Sequence, residues 1–462
     1  MRWLALASGV LLCARALLRP DDSWDGLAYH LPYAGRLWDI VPRDSLELDD
    51  HLELLYLSYP KLIEWLQGLA WKLGGQVQAA NWVALGSVFV FVELAHRRFE
   101  LDRALTWLAL VTVPIVQLHA TACYVDLPAN LAAASAVLGC FRVWTRNELD
   151  PWDVALAAGG AVVAANAKFQ TAPIALLVLL TLALGVARMH RTRRRWLWAP
   201  ALGLVLSSYP YVKNALRFGA PFFPMSVPSL FSEDPLSLAA YEGPKLMTRW
   251  PNALRWLVSL SGVGELDPSR GMWTVDATSV PGSPTHHMGG YFGPWALAQI
   301  VFLVWLGRRR GREGRAAWIT MGLLTLVVCA SPAAHQLRYY LYWLLVSIVL
   351  NLWLLRGSPF EKAYRWCLLA SFLSVALVSN LRFLDPDARP RPLAFLVERS
   401  VPARVLARLE PGGRYCLVAP AYPVLLYASE VLGRPRYSVK SSIQGTTCGD
   451  RKVISLGGGS PQ

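Results

Sequence analysis

DDSWDGLAYHLP, residues 21–32, follows almost directly on the first apolar run of the chain, residues 3–19. Three carboxylates, a tyrosine, a histidine and a proline thus stand beside a segment long enough to enter a bilayer. Whether that segment is a membrane span decides the fold, and the rest of the chain supplies the answer. Of 462 residues 54% are hydrophobic and only 16% are charged; soluble proteins carry about a quarter charged residues. Apolar windows recur at 79–95, 104–122, 127–145, 152–168, 170–187, 196–212, 291–307, 316–331, 339–355 and 366–380. With the first run they predict an all-α polytopic membrane protein of about 11 transmembrane helices. The N-terminal run lacks a small-x-small cleavage site, and Leu12 spoils a lipoprotein signal at Cys13. It reads as the first span, with Arg2 cytoplasmic.

A net charge of +14 raises nucleic acid as a partner, and its distribution argues against one. The arginines crowd into short loops, RMHRTRRRW (188–196) and GRRRGREGR (307–315) above all. That is how membrane orientation is written, not how a binding stripe is built. HRRFELDR (96–103), RVWTRNELD (142–150) and RGSPFEKAYR (356–365) share that side, while YVDLPAN (124–130), the Lys168 turn and SPAAHQLRYY (331–340) alternate with them. The basic loops are therefore read as cytoplasmic. Loops 20–78 and 213–290 and the tail 381–462 then fall on the outer face of a bacterial inner (plasma) membrane. The N-terminus is cytoplasmic and the C-terminus outside.

Two domains are expected: a transmembrane domain, 1–380, and a small α/β tail domain, 381–462. In the tail, GRYCLVAP (413–420) reads as a strand, AYPVLLYASEVLG (421–433) as a helix and RPRYSV (434–439) as a second strand. In the first outer loop, Leu62, Trp65, Leu66, Leu69 and Leu73 make one helical stripe. Such a helix either lies in the membrane interface or packs on neighbouring spans. Cys416 and Cys448 both lie in polar tail sequence on the oxidising side, and a disulfide between them is expected. No Cys/His spacing of a zinc site occurs.

Ionisable groups beside a bilayer are costly and usually carry a role. On the outer face they include Asp21, Asp22, Asp25, His30, Lys61, Glu64, Asp126, Lys168 and Arg338. Carboxylates and cations together suit an anionic lipid substrate and a proton acceptor. An acidic residue followed at the fourth position by tyrosine, Asp25 to Tyr29, just after the first span, resembles the first outer loop of the GT-C superfamily. These polytopic glycosyltransferases take sugars from polyprenyl-phosphate donors; protein O-mannosyltransferases and lipid A aminoarabinose transferases are among them. LSYPKLIEWL (57–66), YVDLPAN, NAKFQTAP (166–173), YVKNALRFGAPFFP (211–224) and LRYY (337–340) resemble further segments of that family, in order, over about 340 residues. Two departures stand out. Asp25 is followed by Gly26 where the family often has a second carboxylate, and Lys61 follows Pro60 where several relatives place it before.

The resemblance implies sugar transfer from a lipid phosphate to a lipid, glycan or protein acceptor. Such chemistry needs a base for the acceptor proton and positive charge at the departing phosphate. Asp25, by its family spacing to Tyr29, is the expected base; a capping role for the following helix is the competing account. Asp126 either orients the acceptor, joins Asp25 at a divalent metal cation, or caps its own helix. Lys168, alone in a base-poor loop, is the expected phosphate contact, against snorkelling. Arg338 offers a planar fork for phosphate, against pairing with a nearby carboxylate. Tyr29, His30, Lys61, Glu64 and Tyr339 complete the expected substrate contacts. A transporter or flippase of lipid-linked glycans, or a non-catalytic membrane scaffold, stays open as an alternative.

Overall fold

The structure is a computed structural model that describes residues 1–146, 149–188, 191–224, 251–261, 290–331, 334, 336–383, 393–418, 422–426, 437–442 and 447–454. Most of the 213–290 loop and of the tail helix expected at 421–433 lies outside the described residues. The chain is mostly helical and divides into two compact units: Met1–Val10 with Ser87–His119 and Asp126–Asp385, and Leu11–Gly86 with Ala120–Val125 and Pro386–Gln462.

The first unit is a helical bundle. Asp126–Thr145 and Leu341–Leu355 are buried along nearly their whole length. Around them stand Pro151–Ala167, Ala172–Ala187, Trp198–Phe218, Gly293–Arg309, Gly311–Ala330 and Glu361–Phe383. The alanine- and glycine-rich runs exist so that two helices can touch backbone to backbone. A Cβ on Gly139 would lie 2.7 Å from the amide nitrogen of Ala157, and one on Gly160 would lie 2.7 Å from the carbonyl oxygen of Ala132. Small residues permit this approach where lipid removes the hydrophobic drive between helices. The outward faces carry large apolar side chains, among them Leu180, Val205, Val301, Ile319 and Leu326, each about half exposed or more. A soluble surface does not tolerate so much exposed hydrocarbon. Among the described residues four helices, Val77–Phe99, Asp126–Thr145, Phe169–Ala187 and Gly311–Ala330, are long and apolar enough to cross a membrane.

One expected span is not continuous. The window 104–122 forms two helices, Arg103–Val111 and Pro114–His119. Thr112 turns its hydroxyl back onto the carbonyl of Leu108 at 2.7 Å, and Pro114 brings no N–H to continue the ladder.

The second unit is built on a four-stranded parallel sheet: β1 (Leu46–Glu47), β2 (Arg414–Val418), β3 (Ser438–Ser442) and β4 (Lys452–Ile454), ordered β1-β3-β2-β4. Tyr415 stands between Val439 and Lys452, and Leu46 lies opposite Val439. The first long loop thus contributes an edge strand to the tail's sheet. β3 begins four residues later than the expected 434–439, at Ser438, beyond Pro435, which has no N–H for a ladder. Leu31, Tyr33, Trp71, Val397, Tyr415 and Leu417 belong to the core. Cys416 on β2 is joined to Cys448 by a disulfide, with Cα atoms 5.4 Å apart.

The helix Leu62–Gly74 inverts the usual amphipathic rule. Its buried face carries Ile63, Glu64, Gln67, Gly68 and Trp71, while Trp65 is 42% exposed and Leu73 79% exposed. Polar groups point in and the leucine stripe points out, the arrangement of a helix whose outer face meets lipid.

Candidate functional site

The acidic loop of the second unit begins with Asp21. Its carboxylate accepts the backbone N–H of Ser23 at 2.9 Å and that of Cys123 at 2.7 Å. The hydroxyl of Ser23 in turn accepts the N–H of Gly26 at 3.1 Å. Glycine is required there, because a Cβ at 26 would lie 2.0 Å from Asp21 Oδ2. Asp21 is 4% exposed, and burial pushes its carboxyl up to about 6 against the pull of the two N–H groups. The departure from an adjacent acidic pair therefore has a local reason: residue 26 is the floor under Asp21.

Gly26–His30 is a single π-helical turn, in which the N–H of Leu31 reaches the carbonyl of Gly26. Pro32 follows, and its missing N–H deprives the preceding turn of an ordinary donor. Asp25 immediately precedes this turn, which carries Tyr29 and His30 at its end. Asp25 is buried, has helical backbone angles and makes no side-chain cap bond to the helix it precedes. His30 Nδ1 lies 3.0 Å from Glu64 Oε1, both residues being buried. The rings of Tyr29 and His30 are 4.3 Å apart, and Tyr124 stands edge-on to His30 at 6.2 Å. Gln67, one turn beyond Glu64, donates to the carbonyl of Cys123 at 2.8 Å. Lys61 turns to the end of the helix Asp50–Ser58: it donates to the carbonyls of Tyr56 and, at 3.1 Å, Tyr59, over the Tyr56 ring. It thereby neutralises a helix C-terminus.

The bundle holds the second group. Asp126 opens the helix Asp126–Thr145 and is 1% exposed. Its Oδ1 pairs with the ammonium of Lys168, which also lies 4.4 Å above the ring of Tyr339. Lys168 is placed by the end of Pro151–Ala167: its backbone turns extended, and Thr171 donates to the carbonyl of Ala164 at 2.6 Å and to that of Lys168 at 2.8 Å. The guanidinium of Arg338 covers the other reach of Tyr339 at 5.0 Å and donates to its hydroxyl at 3.2 Å. Asn130, one turn along from Asp126, binds this corner together. Its amide donates to the carbonyls of Asp126 and Arg338 at 2.7 and 2.8 Å, and its oxygen accepts the N–H of Tyr342 at 2.9 Å. Tyr291 fastens the carbonyl of Leu337 at 2.7 Å.

The structure thus gathers Asp126, Lys168, Arg338 and Tyr339 in one unit and Tyr29, His30 and Glu64, beside Asp25, in the other. Lys168 is ion-paired to Asp126. Among the described residues no three His, Cys, Asp or Glu side chains gather where they could hold a metal ion, and Asp126 Oδ1 is engaged by an ammonium. The sequence reading passed over Asn130 and Gln67, although each is a lone amide in an apolar helix; Tyr291 left no signal.

A second polar layer closes the far end of the bundle. Arg142 and Arg98 both bind Asp153, at 2.8 Å, and Arg356 donates to the carbonyl of Phe99 at 3.1 Å. Three helices, Asp126–Thr145, Pro151–Ala167 and Leu341–Leu355, each run from the Asp126 corner to this arginine layer. The loops grouped as basic in the sequence are knitted together here.

No family model and no curated protein matches the chain. Solved structures do. ArnT from Cupriavidus metallidurans in the apo state is similar at a TM-score of 0.54 and 13% identity, covering 96% of this chain and 85% of that one. The same protein bound to undecaprenyl phosphate is similar at 0.52 and 16% identity, covering 96% and 86%. At such identity the likeness is one of architecture, and it extends over nearly the whole chain: this protein has the fold of ArnT.

Proposed function

We propose that the chain transfers a sugar from a polyprenyl-phosphate donor to a lipid, glycan or protein acceptor on the outer face of the bacterial inner membrane. The observation that carries this reading is the Asp126 corner. Two cations, Lys168 and Arg338, stand with one carboxylate about a shared tyrosine at the start of a helix, a setting that suits an anion. One similar solved structure holds undecaprenyl phosphate, and a lipid phosphate is the anion this corner suits.

In the proposed reaction Asp25 takes the proton from the acceptor hydroxyl or amine. The acceptor atom bonds to the anomeric carbon as the bond from that carbon to the phosphate oxygen breaks. Polyprenyl phosphate leaves with one more negative charge, which Lys168 and Arg338 offset. Glu64 holds His30 in one orientation, and His30 and Tyr29 present an aromatic wall to the sugar.

The test is direct. Purified protein is incubated with radiolabelled undecaprenyl-phosphate sugars and a membrane-lipid acceptor fraction. Loss of label from the lipid, abolished by Lys168→Ala with Arg338→Ala, supports transfer. Label that stays on the lipid while the lipid changes leaflet in vesicles supports a flippase instead.

A further inference from the structure

Near the arginine layer the bundle is incompletely filled. An apolar crevice of about 300 Å³ opens between Asp126–Thr145, Ala172–Ala187 and Gly311–Ala330, walled by Cys140, Phe141, Leu177, Val178, Ile319 and Leu323. Its rim is built rather than incidental. Trp144 Nε1 donates to the carbonyl of Thr181 at 3.0 Å, and the indole lies against Gly185, where a Cβ would come within 2.9 Å of Nε1. On the indole face sits the exposed guanidinium of Arg188, at 4.5 Å, which has no carboxylate partner among the described residues. Tryptophan marks the depth of the headgroups, so the crevice descends from that depth into the hydrocarbon.

We propose that this crevice binds one acyl chain of an anionic phospholipid from the leaflet beside the basic loops, with the lipid phosphate on Arg188. A chain enters because the walls are hydrocarbon; an anionic headgroup is chosen because the rim presents an arginine with a stacked, fixed plane. The polyprenyl donor is a poorer occupant, since the cations proposed for its phosphate stand at the opposite end of Asp126–Thr145. The site is independent of the transferase reading and of every residue assigned to it.

Full-length protein, stripped of lipid in detergent, is titrated with dioleoyl-phosphatidylglycerol or dioleoyl-phosphatidylcholine and followed by native mass spectrometry. Phosphatidylglycerol is expected to bind about fivefold more tightly, the worth of one arginine at a lipid surface. Arg188→Gln should erase that preference, and Arg188→Lys, which keeps the charge but not the stacked plane, should restore only part of it. Ala316→Phe, which fills the crevice, should remove both adducts while helical circular dichroism stays unchanged. Equal binding of the two lipids to the wild type, a preference that survives Arg188→Gln, or adducts that survive Ala316→Phe would each overturn the proposal. So would displacement of phosphatidylglycerol by equimolar undecaprenyl phosphate.

Discussion

Asp21 and Asp25 are four residues apart and have opposite fates. Asp21 is consumed by two backbone N–H groups and burial, and the cost of charging it lies in the stability of the fold. Its carboxyl is raised to about 6 from an ordinary value near 4, so the protonated form is the one the folded state prefers. Stability from that proton is complete below pH 4 and is lost as pH rises through 6. The difference in unfolding free energy between wild type and Asp21→Asn should therefore fall by about 3 kcal/mol between pH 4 and pH 7. Thermal unfolding in detergent across that range measures it; a flat difference would mean the carboxyl is already ionised at pH 4. Asp25, by contrast, makes no side-chain cap bond to its helix, and Asp25→Asn should cut transfer by about 10²- to 10⁴-fold with donor binding retained. Near-normal turnover would move the base elsewhere. The sequence marked both residues as chemistry at a membrane edge but could not divide their labour, because what commits Asp21 is an amide at Cys123, a hundred residues away.

Helices were legible and their partners were not. Hydropathy locates Asp126–Thr145 and Pro151–Ala167 to within a residue or so, since twenty apolar positions leave little choice of conformation. Which glycine matters is a question of what stands opposite. Gly139 faces the backbone of Ala157, which cannot yield, whereas nothing lies within 4 Å of a Cβ on Gly159. Gly139→Ala should cost about 1–3 kcal/mol by overpacking, while Gly159→Ala should gain about 0.5–1 kcal/mol by removing a helix-interior glycine. Unfolding midpoints of the two variants, moving in opposite directions, check the assignment. At the helix ends, Lys168→Ala should weaken donor affinity by about 1–3 kcal/mol. Because it also strands a buried carboxylate, the measurement belongs in a background of Asp126→Asn, where affinity should still fall. The two shortest strands, β1 and β4, escaped the sequence reading because two or three residues carry no period to read. The sheet that unites the first loop with the tail is a product of packing alone.

The disulfide and the arginine layer report on how the chain sits in its membrane. If the tail lies outside, a membrane-impermeant maleimide should label Cys416 and Cys448 in intact cells only after an impermeant reductant has opened their bond. Labelling that also needs permeabilised cells would invert the orientation. Counting arginines loop by loop yields an expected sidedness; it says nothing of the depth at which the bundle rides, which depends on where two charged layers end up in space. Sixteen residues of helix part Asp126 from Arg142, a rise of about 24 Å, while hydrocarbon in an ordinary bilayer is about 30 Å thick. Neither layer can sink into oil, so the lipid must meet the protein by pinching inward around it. Acyl length then becomes a control on the protein: vesicles of short-chain lipid relieve the mismatch, long-chain lipid tightens it, and the headgroups of both leaflets are drawn toward the residues that wait for them.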